Sequence, residues 1–173
     1  GIRRTGWAWW IERFRQTLRR FDAVRLDHFI GFTRYWEIPA AEPTAMRGRW
    51  RPGPGARLFR AVQRALGTKE LPFIAEDLGA VTPEVTALRD RLGLPGIRIL
   101  QFAFGDDPQA PTFKPHAYPR RAAAYTGTHD NDTIVGWFYD PGGGASPRTP
   151  EQAERERAYA RRYVGGGEEI HWE

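Results

Sequence analysis

Short apolar runs of strand length alternate along this chain with helical patterns, and this alternation limits the possible folds more than any other feature of the sequence. We predict strands over residues 23–29, 73–76, 97–100 and 122–125, and helices over 7–21, 58–66, 82–93, 151–163 and from 133 onward. Such alternation is typical of βαβ units and a parallel sheet. Two architectures remain open, namely a doubly wound sheet and part of a (β/α)8 barrel, and the barrel predicts chemically active residues at the carboxyl ends of successive strands.

Turn and cap residues indicate where these elements stop. Gly67 and Gly93 are placed to end the second and third helices. The Thr82 hydroxyl is expected to cap the third helix, and Asp132 the fourth. A connection over residues 32–54 follows the first strand, and connections of that length are uncommon unless they serve a function. No Gly-x-Gly-x-x-Gly pattern follows this strand, which weakens a dinucleotide-binding interpretation.

The composition excludes several classes of function. The 173 residues contain no cysteine, which excludes disulfides, thiol nucleophiles and thiolate metal sites. The net charge of +5 arises from basic residues that are scattered among acids, so we expect no nucleic acid partner. No apolar run approaches the roughly 18 residues of a membrane span. The chain opens on Gly1 and lacks a signal pattern, which predicts an internal segment of a longer protein.

Three acidic residues follow predicted strands and precede loops. They are Asp27, Glu76 and Asp130. In a barrel these positions share one rim, so three carboxyl groups would face one cavity. A single acid at a strand end is more often a helix cap or a turn residue, but three such acids with polar neighbours favour a catalytic site.

The neighbours of these acids are also polar. Strand alternation puts Arg25 on the same face as Asp27, where a guanidinium stabilises the ionised carboxylate that a nucleophile requires. His28 and His129 each adjoin one acid and can donate hydrogen bonds to a polar ligand, although a structural histidine is the commoner case. Neither His-x-His nor His-Glu-x-x-His occurs, so we expect no metal site.

Paired carboxyl groups in a cleft are typical of glycoside transfer. One ionised acid attacks the anomeric carbon while a protonated acid protonates the leaving oxygen, and in the retaining form a covalent glycosyl-enzyme results. A third acid can bind sugar hydroxyls more strongly in the transition state. Aromatic side chains that could stack on sugar rings, or merely pack the loop, crowd the connection after the first strand: Phe32, Tyr35, Trp36 and Trp50.

Five short motifs together resemble one enzyme family. They are Val24-Arg25-Leu26-Asp27-His28-Phe29, Trp36-Glu37-Ile38-Pro39, Gly48-Arg49-Trp50 with Gly53-Pro54-Gly55, Ala75-Glu76-Asp77-Leu78-Gly79 and Thr126-Gly127-Thr128-His129-Asp130-Asn131-Asp132-Thr133. In this order they resemble the 4-α-glucanotransferases, also called amylomaltases or disproportionating enzymes. The similarity extends over most of residues 7–137.

The resemblance implies a role for each singled-out residue. Asp27 would be the nucleophile, Glu76 the general acid/base and Asp130 the transition-state stabiliser. Three further residues would contact the sugar or Asp27: Arg25, His28 and His129. Trp50, one of the aromatic side chains after the first strand, is expected to bind the substrate. The implied reaction passes a piece of an α-1,4-glucan to the 4-hydroxyl of another glucan or of glucose, without cofactor or metal.

The resemblance also implies where the chain lies in its fold. Residues 1–173 would be an incomplete catalytic (β/α)8 barrel domain, roughly strands four to seven, with an insertion at about 32–54. An isolated slice leaves two edges unpaired, so we expect it to have little or no activity. The family is typically cytoplasmic and acts on maltooligosaccharides, starch or glycogen.

Other interpretations remain open on the sequence alone. An α-amylase-clan hydrolase, or the transferase half of a glycogen-debranching enzyme, would use the same three acids and differ in what intercepts the covalent intermediate. A carbohydrate-binding fragment without catalysis is the alternative from another class.

Overall fold

The chain is a mixed α/β protein, described here from a computed structural model that covers residues 2–166. The helices are α1 (Ala8–Leu18), α2 (Ala56–Leu66), α3 (Pro83–Arg91), α4 (Ile134–Tyr139) and α5 (Pro150–Val164). The strands are β1 (Val24–Leu26), β2 (Arg34–Glu37), β3 (Arg49–Pro52), β4 (Phe73–Ala75), β5 (Gly96–Ile99) and β6 (Ala122–Tyr125). The chain divides into two compact units, Gly1–Ile97 and Arg98–Glu173, and each is described by itself.

The first unit contains a parallel strand pair connected through a helix. β1 pairs with β4 in the register Val24↔Phe73, Arg25↔Ile74 and Leu26↔Ala75. The connection between them includes α2, as a parallel pair requires. The predicted βαβ arrangement is therefore confirmed for this pair.

Aromatic side chains dominate the core of this unit. Phe14 of α1 packs on Phe73 of β4 with ring centroids 4.6 Å apart. The apolar face of α2 is fully buried at Leu58, Phe59 and Val62. These contacts hold the two helices against the strand pair, and they bury Leu26 of β1 together with Phe73 and Ala75 of β4.

The connection over residues 32–54 contains regular structure. β2 and β3 form an antiparallel ribbon that pairs Trp36 with Trp50. Glu37 accepts hydrogen bonds from Arg51 Nε at 2.8 Å and from Arg49 Nε at 2.7 Å. At the end of the ribbon a Cβ on Gly53 would lie 2.4 Å from the Phe32 carbonyl oxygen, so only glycine fits this contact.

The sheet is less continuous than a four-stranded ladder. β5 pairs with β6, while β1 and β4 form a separate ladder. Beside β4, Ala75 N donates to Pro95 O at 2.9 Å, but the next donor, Ile97 N, is taken by the Asp77 carboxylate at 2.8 Å. A side chain thus occupies the place of a backbone acceptor at this junction.

Some predicted helix boundaries are confirmed and others are wrong. Gly67 ends α2 in a left-handed conformation with φ of 69°. Thr133, not Asp132, caps α4, because the Thr133 hydroxyl accepts from Gly136 N at 3.0 Å. Thr82 stands at the N-cap of α3, but its hydroxyl makes no capping bond to the helix backbone. α1 ends at Leu18, which leaves Phe21 62% exposed.

Among the helices of residues 2–166, none has both the length and the apolar character needed to cross a bilayer.

The core of the first unit makes a testable prediction. Phe73→Ala should lower the free energy of unfolding by about 3–5 kcal/mol, because it removes a 1% exposed ring and leaves a cavity. Phe21→Ala is the matched control and should change it by less than about 0.5 kcal/mol, since that ring is mostly in solvent. Urea denaturation followed by tryptophan fluorescence compares the two, and equal losses would contradict this account of the core.

Candidate functional site

Asp27 follows β1 directly and projects into solvent. Its side chain is 71% exposed, and Arg25 Nη2 donates to Asp27 Oδ1 at 2.8 Å. Because Arg25 and Asp27 lie two residues apart, the extended backbone places both on one face. The predicted contact between them is therefore confirmed. The site thus presents an accessible carboxyl oxygen that is held by a guanidinium.

Glu76 follows β4 at the level of Asp27, because the register of the two strands aligns the residues that precede them. Glu76 N donates to Leu26 O at 3.0 Å, and Phe29 N donates to Glu76 O at 3.1 Å. The carboxyl group accepts from His28 N at 2.7 Å and from Leu78 N at 3.1 Å. The neighbouring strand ends therefore bring two of the three predicted acids together.

The surroundings of Glu76 favour its protonated form. Burial raises the pKa of Glu76 above its ordinary value, and the negative charge of Asp27 acts in the same direction. The backbone bonds from His28 and Leu78 and the positive charge of Arg25 oppose this rise without reversing it. Glu76 thus keeps its proton to a higher pH than an ordinary glutamate, as a general acid must.

His28 has an unusual backbone conformation. Its φ is 47°, in the left-handed region, and the imidazole lies against Gly31, where a Cβ would stand 3.2 Å from the ring. This conformation turns the His28 amide towards the Glu76 carboxyl group. His28 therefore contacts the site through its backbone, while its side chain remains exposed.

An open cavity of about 540 Å³ adjoins Asp27 in the first unit. Its lining includes four aromatic residues together with the acid and its neighbour: Trp7, Trp10, Phe32, Tyr35, Asp27 and His28. Sequence periodicity assigns Trp7 and Trp10 only to the buried face of a helix. Their position beside Asp27 follows from the start of α1, where Trp7 has φ of 71°, which periodicity does not reveal.

Trp50 is not among the residues that line this cavity. It lies on the ribbon, 54% exposed, with the Trp36 ring centroid 5.3 Å away in an edge contact. The Arg34 guanidinium stands 4.5 Å from the centroid of the Trp50 ring. Trp50 is therefore an exposed aromatic surface on the ribbon.

Asp130 and His129 belong to the second unit. They lie in a turn after β6, not at its last residue, and Asp130 N donates to Thr128 Oγ1 at 3.3 Å. His129 Nε2 and Asp130 Oδ2 are 3.4 Å apart, and both side chains are mostly exposed. The two residues thus form an accessible polar pair that the turn holds in place.

Within the described part of the chain, no three histidine or acidic side chains converge closely enough to hold a metal ion. What the first unit offers is one accessible carboxyl group, on Asp27, beside another, on Glu76, whose pKa is raised. Such a pair can attack a carbon centre and protonate the group that leaves it.

Comparison with known proteins gives one consistent family. A family model described as 4-alpha-glucanotransferase matches residues 1–173. A 4-alpha-glucanotransferase of Thermus thermophilus is 55% identical over 139 residues, which are 79% of this chain and 27% of that relative. One from Synechocystis is 47% identical over 174 residues, covering 99% of this chain and 32% of the relative.

A solved structure is also similar. It is described as amylomaltase from Streptococcus agalactiae in complex with acarbose, and it matches with a TM-score of 0.81 at 36% identity. The match covers 96% of this chain and 31% of that one. The chain thus spans between a quarter and a third of the length of these relatives.

The electrostatics of the site predict opposite effects of two substitutions. Asp27→Asn should lower the pKa of Glu76, because it removes a nearby negative charge, and Arg25→Gln should raise it, because it removes a positive one. Carboxyl-¹³C NMR titration of glutamate-labelled protein measures both. Glu37 is the internal control, since its pKa is held low by Arg51 and Arg49 and should stay so. A shift of Glu76 in the same direction in both variants would refute this assignment of causes.

Proposed function

The chain belongs to the 4-alpha-glucanotransferase family, and on that premise we propose that the protein containing it transfers α-1,4-glucan segments between sugar acceptors. The observation that carries the proposal is the pairing of an exposed Asp27 with a Glu76 whose pKa is raised at the neighbouring strand end. The proposed substrates are maltooligosaccharides and longer α-1,4-glucans as donors, with a glucan or glucose as acceptor.

In the first step of the proposed reaction, Asp27 attacks the anomeric carbon of the donor. The bond to the leaving oxygen breaks as Glu76 donates its proton to that oxygen, and a covalent glycosyl-aspartate forms. In the second step the ionised Glu76 removes the proton from the acceptor 4-hydroxyl, which attacks the same carbon and releases Asp27. Two inversions give retention of configuration.

The remaining residues have supporting roles in this proposal. Arg25 orients Asp27 through its 2.8 Å hydrogen bond. Asp130 would bind sugar hydroxyls more tightly in the transition state than in the ground state, and His28 and His129 would donate hydrogen bonds to the sugar. Trp50, exposed on the ribbon, would stack against a glucose unit of the chain. The chemistry calls for no cofactor.

We further propose that the chain forms part of one catalytic (β/α)8 barrel domain. In this assignment β1, β4, β5 and β6 are roughly strands four to seven, and the β2–β3 ribbon is an insertion after the first of them. The parallel β1–β4 pair, with α2 in its connection, supports the assignment. A cytoplasmic location, where maltodextrins are metabolised, completes the proposal.

Incubation of the full protein with maltotriose tests the reaction. Transfer should yield longer glucans together with glucose. Asp27→Asn should lower the rate of transfer by several orders of magnitude, and Glu76→Gln should lower it by about 10²–10⁴-fold. Each substitution removes one of the two reacting groups. The exposed residues Asp22 and Glu70 provide matched controls, since Asp22→Asn and Glu70→Gln should leave the rate unchanged.

The products separate the competing functions. Shorter sugars alone would favour the hydrolase, because water would then be intercepting the covalent intermediate. Unchanged glucan affinity in both acid variants, with no turnover in the wild type, would favour a carbohydrate-binding fragment. Chromatography of the products distinguishes these results.

The isolated 173-residue chain should show little or no transfer, since four strands of a barrel leave two edges without partners. The purified chain and the full protein are compared at equal molar concentration on maltotriose. Efficient disproportionation by the chain alone would contradict this expectation.

A further inference from the structure

Asp77 is a buried carboxylate that the proposed reaction does not use. It directly follows Glu76, and it is only 6% exposed. A charged group at such depth is costly unless it is paired and hydrogen-bonded. Its presence immediately after the proposed general acid therefore calls for an explanation.

The contacts of Asp77 anchor it to two other elements of the first unit. Ile97 N, in β5, donates to Asp77 Oδ1 at 2.8 Å. Arg89 Nη1, near the end of α3, donates to Asp77 Oδ2, and the Arg89 side chain is 17% exposed. The carboxylate is thus held by a backbone amide on one side and by a guanidinium on the other.

The backbone of Gly96 lies so close to the Asp77 carboxylate that a side chain at position 96 would clash with it. A Cβ on Gly96 would lie 2.5 Å from Asp77 Oδ2 and 2.7 Å from Oδ1, which is far inside contact distance. Gly96 does not need its conformational freedom here, since it is absent from the glycines of positive φ. It is the position of the Asp77 carboxylate that requires a glycine.

Asp77 and Glu76 face opposite ways from one short segment. The Glu76 carboxyl group accepts hydrogen bonds from the backbone amides of His28 and Leu78. The Asp77 carboxylate accepts hydrogen bonds from the Ile97 amide and the Arg89 guanidinium. The peptide between them is therefore held on both sides. A rotation of this peptide that displaced the backbone of Glu76 would also pull Asp77 from its buried partners.

We propose that Asp77 is a positioning residue which, fixed by Arg89 and Ile97, holds the Glu76 carboxyl group where it can reach the leaving oxygen. This inference rests on the proposed function, because it assigns Glu76 the proton transfer. Asp77 touches neither substrate nor reacting atoms in this role. It acts only through the geometry of the adjacent residue.

Asp77→Asn tests the inference in the full protein. The amide retains an acceptor for Ile97 N but loses the charge that pairs with Arg89, so the segment should shift. We expect kcat on maltotriose to fall by up to about a hundredfold, the effect of misplacing a reacting group by about 1 Å, with KM within about twofold. Asp90→Asn is the matched control: it removes the exposed partner of Arg89, and it should change kcat by less than about twofold.

An activated donor distinguishes positioning from general damage. With α-maltosyl fluoride, the Asp27 carboxylate forms the bond to the anomeric carbon as the carbon–fluorine bond breaks, and fluoride leaves with the electron pair. Fluoride needs no proton from Glu76, so its release should not depend on where that group stands. In single turnovers, Asp77→Asn should release fluoride at the wild-type rate constant, while Asp27→Asn should release none. The amount of fluoride released in the single turnover measures the concentration of correctly folded sites.

Gly96→Ala provides an independent variant, because its methyl group would displace the Asp77 carboxylate without removing any functional group. It should show the same loss of kcat on maltotriose and the same retained fluoride release. Wild-type kcat in both variants would overturn the inference. Equal loss on both donors, or no folded sites in either variant, would also overturn it and assign Asp77 to folding alone. A wild-type protein that neither transfers glucan nor releases fluoride would instead refute the proposed function.

Discussion

The parallel register between β1 and β4 is the constraint on which the rest of the site depends. With Leu26 opposite Ala75, the residues that follow the two strands become neighbours, and Glu76 N completes the ladder by donating to Leu26 O. A shift of one residue would turn every side chain of β4 to the other face. The phenylalanine core and α2 pack against both strands and so help to keep this alignment.

This alignment gives two chemically identical groups different environments. Asp27 stands in solvent against a guanidinium, whereas Glu76 is half-buried and accepts two backbone amides. The partial exclusion of water raises the pKa of Glu76. The contrast arises mainly from a difference in depth between adjacent strand ends, to which the charges of Asp27 and Arg25 add smaller and opposing effects.

Much of this arrangement can be predicted from the sequence, because segments with a strong strand or helix pattern form the predicted elements in the fold. The strand ends and the Arg25–Asp27 contact follow from alternation alone. The β2–β3 ribbon does not, because its aromatic and arginine residues carry no clear period. Trp7 and Trp10 satisfy a helical pattern whether they face a core or a cavity. The role of Asp77 cannot be predicted for a different reason, namely that its partners Arg89 and Ile97 are distant in sequence. Only the glycine at position 96 is consistent with the close approach of the carboxylate.

The left-handed backbone at His28 has a consequence for engineering. A non-glycine residue in this region stores about 1–3 kcal/mol of strain, although histidine tolerates it better than most side chains. Glycine or asparagine would relieve that strain while discarding the imidazole. Selection for heat resistance would therefore favour substitutions at position 28, and the variants selected there would lose the imidazole to which the proposed function assigns a hydrogen bond with the sugar.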